Sequence, residues 1–197
     1  MIAIIDYEAG NLRSVINACS HLEKTVDIVS DPKKLENADK IILPGVGNFG
    51  DAMSQLGKLK KVILDRISDG APFLGICLGI QLILEGSDEA RGINGLSIIR
   101  GNCSRFPKTL KVPHMGWNDI RIIKKCPILK GVKSGTCMYF VHSYYPIPKD
   151  KEVIAATTEY GIEFSSVIYR DNLFATQFHP EKSGEAGLRI LKNFLDL

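Results

Sequence analysis

Long apolar runs are absent from this 197-residue sequence. The longest, residues 73–84, is too short to span a bilayer and is broken by Gly75, Gly79 and Gln81, so no transmembrane helix and no membrane partner are expected. No secretory leader is expected either. Met1 leads straight into Ile2-Ala3-Ile4-Ile5 and Asp6, with no basic segment and no small-residue cleavage site. Charge of one sign is equally scarce: 25 Lys and Arg face 22 Asp and Glu, a net +3 spread along the chain, which excludes the basic stripe of a nucleic-acid binder. The cysteines Cys19, Cys77, Cys103, Cys126 and Cys137 form an odd set with no C-x-x-C or other metal-like spacing. That pattern argues against a disulfide framework or a metal site; no cofactor is expected, and free thiols imply a cytoplasmic protein. No repeat, low-complexity tract or linker divides the chain, and 45% apolar with 24% charged residues suit an ordinary globule. One domain over residues 1–197 is expected, burying roughly 70% of its unfolded surface.

The first half alternates short isoleucine-rich runs with 3.6-residue periodicity. Residues 2–5 read as a buried strand, followed by a Gly10-Asn11 turn and a helix whose apolar face holds Leu12, Val15, Ile16, Cys19 and Leu22. Strands follow at 26–29, 40–43 and 73–76, with a short helix opened by Asp31-Pro32, a long one over 51–68 and another over 78–85. This order predicts an α/β fold with a mostly parallel, doubly wound sheet flanked by helices. The second half differs. Its β-branched and aromatic runs at 96–100, 119–123, 138–144, 153–158, 164–169 and 174–178 predict additional antiparallel strands, before a last helix over 184–195 with Leu188, Leu191 and Leu195 on one face.

Gly75-Ile76-Cys77-Leu78-Gly79 lies at a predicted strand-to-helix junction and has the form of a nucleophile elbow. Small residues are needed there because strand and helix crowd together. The N-terminal end of the helix would favour a thiolate, and the Leu78 N–H would face an oxyanion. Alone, the motif makes Cys77 either a thiol nucleophile or a buried small hydrophobe. Near the C-terminus His179-Pro180-Glu181 offers the complement. A residue before proline is driven extended, so His179 and Glu181 are expected on one side of an extended segment, the carboxylate orienting the imidazole. A surface pair flanking a strand-ending proline is the bland alternative.

Together these segments, with Gln81 and Gln177-Phe178, resemble the class I, triad-type glutamine amidotransferases. Asp6-Tyr7, Gly10 to Val15, Pro44-Gly45-Val46-Gly47, Pro113 to Asn118, Tyr139 to Tyr144 and His179 to Gly184 further resemble the glutaminase subunits of imidazole glycerol phosphate synthases, so the likeness covers essentially the whole chain. It implies that Cys77 attacks the side-chain amide of L-glutamine, that His179 protonates the departing ammonia and then activates water, and that Glu181 holds the imidazole. The backbone of Val46, Gly47 and Leu78 is the candidate oxyanion hole. The two glycines of the Pro44–Gly47 turn leave its peptide planes free to rotate, so regulated formation of the hole is expected. Gln81 and the segment His142, Ser143 and Tyr144 are implied to contact glutamine; an exposed helix position and a satisfied core histidine are the plain alternatives for Gln81 and His142.

The resemblance also implies a separate (β/α)8-barrel cyclase subunit in a heterodimer, with Asn11, Trp117, Tyr139 and Lys182 at the docking face. Their plain alternatives are a helix cap, a core indole, a strand aromatic and a solvated lysine. Rival functions are a glutaminase of the same fold serving another acceptor such as a sugar amidotransferase, a cysteine hydrolase or chaperone of the related elbow group, and a non-catalytic regulatory subunit.

Overall fold

The computed structural model describes residues 1–8 and 12–197, so the Asn11 cap and interface expectations lie outside the described residues. In chain order the elements are β1 (Ile2–Ile5), α1 (Leu12–His21), β2 (Asp27–Val29), α2 (Pro32–Leu35), β3 (Lys40–Gly45), α3 (Phe49–Leu56), α4 (Leu59–Ser68), β4 (Phe73–Cys77), α5 (Leu78–Leu82), β5 (Gly86–Ser87), β6 (Gly101–Arg105), β7 (His114–Ile122), β8 (Thr136–His142), β9 (Tyr144–Pro148), β10 (Ile154–Glu159), β11 (Glu163–Arg170), β12 (Leu173–Thr176) and α6 (Gly184–Leu195). The main sheet has the order β2-β1-β3-β4-β12-β11-β10-β7-β8. From β2 to β12 neighbours run parallel, and from β12 to β8 antiparallel, so the expected α/β fold with added antiparallel strands takes the form of one continuous mixed sheet. Strands β5, β6 and β9 form a separate small sheet.

Alternation along the parallel strands feeds two cores. Ile4, Ile42, Leu74 and Phe174 face one side, where Val15 and Cys19 of α1 and Ile190, Leu191 and Phe194 of α6 cover them. Ile5, Leu43 and Phe73 face the other, against Phe49, Met53 and Leu56 of α3 and Ile63 of α4. The face α6 buries is Gly187, Ile190, Leu191, Phe194 and Leu195, with Leu188 half-buried at its edge.

Several expected elements are redrawn. The helix over 51–68 is two helices, because Gly57 takes φ +36° and its N–H closes the end of α3 on Ser54 O. The helix over 78–85 stops at Leu82, and residues 96–100 form no strand. The two differences meet in one place: the amides of Leu96, Ser97, Ile98 and Ile99 return to the carbonyls of Leu82, Ile83 and Leu84 at and just beyond the helix end, so they are satisfied there rather than in a sheet ladder. The run 138–144 divides at Ser143, where β8 ends in the main sheet and β9 turns away to pair with β6.

Phe194 is fully buried and meets Phe174 edge-on with centroids 6.1 Å apart. Phe194→Ala is expected to cost about 3–5 kcal/mol, read as a lower urea midpoint at unchanged m-value.

Candidate active site

β4 and β12 are hydrogen-bonded parallel neighbours, with Gly75 opposite Ala175 and Ile76 opposite Thr176. The chain leaving each strand at its carboxyl end brings the two sequence motifs together, at the edge where open α/β sheets present ligand sites.

Cys77 ends β4 with φ +54° and ψ −99°, a region costly for a residue with a side chain. The surroundings enforce it. A Cβ on Gly79 would lie 2.3 Å from the carbonyl oxygen of Leu43, and one on Gly75 would lie 2.8 Å from Gly79 backbone atoms. Only bare backbone fits where α5 crosses β3 and β4. The thiol faces the carbonyl of Val141 at 3.7 Å, and Gln177 Nε2 approaches Sγ at 3.9 Å. With five residues, α5 offers the sulfur the N–H groups of its first turn rather than a long aligned dipole.

His179 and Glu181 meet as expected, Nδ1 to Oε1 at 2.8 Å, both buried. The local geometry differs from the expected extended segment: His179 is extended, but Pro180–Lys182 is a 3-10 turn that folds the carboxylate back under the ring. Three further hydrogen bonds fix this arm, two of them to Tyr139 of β8 and one within the arm itself. The N–H of His179 donates to Tyr139 O (2.9 Å), Ser183 Oγ donates to His179 O (2.6 Å), and Tyr139 N–H donates to Ser183 Oγ (2.9 Å). Burial opposes a charged imidazole, yet negative charge on Cys77 and Glu181 outweighs it and pushes His179 up to about 10. A thiol beside an imidazole that is itself held by a carboxylate can attack an electrophilic carbon and pass protons to and from the leaving group.

Cys77 opens into a cavity of about 310 Å³ lined by Val46, Gly47, Leu78, Gln81, Glu89, Pro113, Val141, His142, Ser143 and Tyr144. All the residues expected at the oxyanion hole and glutamine site are therefore on its walls. Gln81 is buried rather than exposed, its Nε2 donating to Tyr144 O at 3.1 Å and to Gln177 Oε1 at 3.4 Å. Two residues escaped the sequence reading. Glu89 is the single charged side chain among those walls, anchored by the Phe49 N–H at 2.8 Å. Tyr7 donates to Pro44 O at 2.9 Å and so braces the strand end leading into Val46-Gly47. A larger hollow of about 660 Å³ lies elsewhere, under Ile122 to Lys125 and Tyr169; burial pushes its thiol, Cys126, up to about 11, away from reactivity at neutral pH.

Of the interface candidates, Trp117, Tyr139 and Lys182 are described and lie close together. Trp117, far from being a core indole, is 59% exposed and faces Tyr139 across the β7–β8 ladder, their rings 6.0 Å apart; Met115 beside it is 62% exposed. Lys182 is exposed, one residue before the Ser183 that binds Tyr139.

The raised basicity of His179 depends on its neighbour. In Cys77→Ala the strongest charge raising it is gone while burial persists, so its titration midpoint falls below about 10. The imidazole Cε1–H shift, followed by NMR across the pH range, reports the change, and an unmoved midpoint refutes the coupling.

Residues 3–197 match the family model described as glutamine amidotransferase class-I. The chain is 54% identical over 197 residues to the imidazole glycerol phosphate synthase subunit HisH of Methanocaldococcus jannaschii, covering 100% of both. It is 51% identical to the subunit of the same name from Methanothermobacter thermautotrophicus, covering 100% of this chain and 98% of that one. Among solved structures, PurLQS from Thermotoga maritima superposes with a TM-score of 0.77 at 17% identity, covering 99% of this chain and 97% of that one. The glutaminase domain of Trypanosoma brucei CTPS gives 0.67, also at 17% identity, covering 99% and 93%. The two structures share the fold; the family model and the full-length relatives go further, and by them the chain belongs to the class-I glutamine amidotransferases and, within these, to the HisH subunits of imidazole glycerol phosphate synthase.

Proposed function

We propose that the chain, as one domain over residues 1–197, hydrolyses L-glutamine to glutamate and ammonia with Cys77, His179 and Glu181 as its catalytic residues. The observation that carries this reading is the strained Cys77 elbow on the wall of a cavity of about 310 Å³ with the His179–Glu181 pair behind it. Glutamine enters with its amino group toward Glu89, the charged wall residue, and its side-chain amide over Sγ. The thiolate attacks the amide carbon, and the resulting oxyanion is received by backbone N–H groups of Leu78 and the Val46–Gly47 turn. His179 then gives its proton to the nitrogen, the C–N bond breaks and ammonia leaves a glutamyl thioester. Water attacks next, its proton returning to His179 as the C–S bond breaks and glutamate forms. Glu181 keeps the imidazole oriented through both halves.

The ammonia goes to a separate (β/α)8-barrel cyclase in a heterodimer, which joins it to a phosphorylated ribulosyl aminoimidazole carboxamide intermediate. The products there are imidazole glycerol phosphate and an aminoimidazole carboxamide ribotide. The full-length relatives carrying the imidazole glycerol phosphate synthase name favour this acceptor over a sugar amidotransferase. A non-catalytic regulatory role leaves the strain at Cys77 and the buried His179–Glu181 pair without a purpose. Trp117, Tyr139 and Lys182 form the docking face, supported by the exposed Trp117 and Met115 side chains beside them.

Cys77→Ser abolishes glutamine-dependent synthesis by the assembled complex and leaves synthesis from added ammonium intact. Assaying both with one cyclase preparation checks the reading; loss of both activities makes Cys77 structural instead. Because the Pro44–Gly47 turn forms part of the oxyanion hole, glutamine hydrolysis is expected to quicken when cyclase and its ligand bind. Equal turnover with and without them sinks that regulation.

A further inference from the structure

The mechanism uses one buried histidine, but the protein buries three. His114 and His142 face each other across the β7–β8 ladder with Nδ1 of the first 3.0 Å from Nε2 of the second. Both are enclosed by rings. His114 stacks on Tyr160 and Phe140, with centroids 4.1 and 5.0 Å away, and His142 lies against Phe106 and Phe164 at 5.2 Å each. Burial pushes them down, to about 4 and about 3, so each ring carries one proton at neutral pH.

Neighbouring groups decide where each proton sits. Nδ1 of His142 lies 2.8 Å from the carbonyl oxygen of Tyr144, which can only accept, so that nitrogen bears the hydrogen. Its Nε2 is then a bare lone pair, and His114 must donate from Nδ1. The Nε2 of His114, left as an acceptor, meets Asn118 Nδ2 at 3.2 Å. The amide of Asn118 is itself oriented because the same Nδ2 donates to Glu159 O at 2.8 Å. A backbone carbonyl at each end thus sets one direction for the whole chain, from Asn118 through both imidazoles to Tyr144. The terminal carbonyl also accepts from Gln81, so two hydrogen bonds hold that part of the cavity wall.

We propose that His114 and His142 are positioning residues, a proton-ordered relay through which Asn118 holds the Ser143–Tyr144 wall in the form that receives glutamine. The proposal rests on the glutaminase reading for its ligand, and on the hydrogen-bond geometry alone for its ordering. Reversing the relay would place a lone pair of His142 against the Tyr144 oxygen, and the wall peptide would turn away. A wall that touches the unreacting end of the substrate binds ground state and transition state alike, so its loss raises KM and spares kcat.

Asn118→Asp and Asn118→Ala separate this role from simple packing. A neighbouring carboxylate raises an imidazole by about 1–3 pH units, which leaves His114 neutral at pH 8.5. There the aspartate can only accept, so it draws the His114 proton to Nε2 and reverses the relay, whereas alanine removes a donor and compels nothing. In the complex with its cyclase at pH 8.5, Asn118→Asp is expected to raise KM for glutamine roughly tenfold, Asn118→Ala about two- to threefold, both with kcat within about twofold. Packing alone predicts the opposite ranking, since aspartate matches asparagine in shape. Long-range 1H–15N spectra of the free chain supply the second readout: both imidazoles in the Nδ1–H form in the wild type, and His114 in the Nε2–H form in Asn118→Asp. An alanine variant as impaired as the aspartate one, or the Nε2–H form of His114 or His142 in the wild type, overturns the relay. A wild type without glutaminase turnover defeats the glutaminase reading instead, and the spectra still decide the ordering.

Discussion

Everything at the site depends on how closely α5 crosses the ends of β3 and β4. The Leu43 carbonyl and the backbone of Gly79 approach so tightly that a methyl group would overlap them, and this contact swings the chain through the strained conformation of Cys77. Backbone strain of this kind costs on the order of 1–3 kcal/mol and persists only where packing over-determines it. Here β4 is completely buried between two apolar layers, and that burial supplies the constraint. The thiol is presented toward the cavity because the turn has no other way to fit.

The histidines show how one residue type is put to different uses by its surroundings. His21 is exposed at the end of α1. His114 and His142 are enclosed by aromatic rings, and burial keeps them uncharged, so they serve by geometry. His179 is as deeply buried but faces Glu181 and Cys77, and two neighbouring negative groups hold a proton on it that burial alone would remove. The carboxylate is kept in place by a 3-10 turn, and the turn by Ser183, whose hydroxyl bridges His179 O and Tyr139 N.

How much was legible in the sequence follows from the range of each interaction. The elbow and the His-Pro-Glu arm are local patterns, and the parallel half of the sheet declared itself through buried isoleucine runs. Helix ends were harder. Gly57 divides one periodic stretch in two, and residues 96–99 cap α5 from outside, a pairing that no local periodicity records. Ser143 is hidden inside a continuous β-rich run although it marks where the chain changes sheets. Glu89, Tyr7 and Ser183 went unassigned for a related reason. Each acts through a partner far away in sequence: Phe49, Pro44 and Tyr139 respectively.

The pairing of β4 with β12 bears on how the molecule is born. These strands touch along their length but lie about a hundred residues apart, and β12 is the last strand of the chain. Contacts of such long range close late, after the entropy of the intervening loop has been overcome. A polypeptide growing from its N-terminus therefore carries the elbow cysteine well before it carries the arm that would activate it. The thiol therefore gains its base only when the final strand and the arm that follows it have docked.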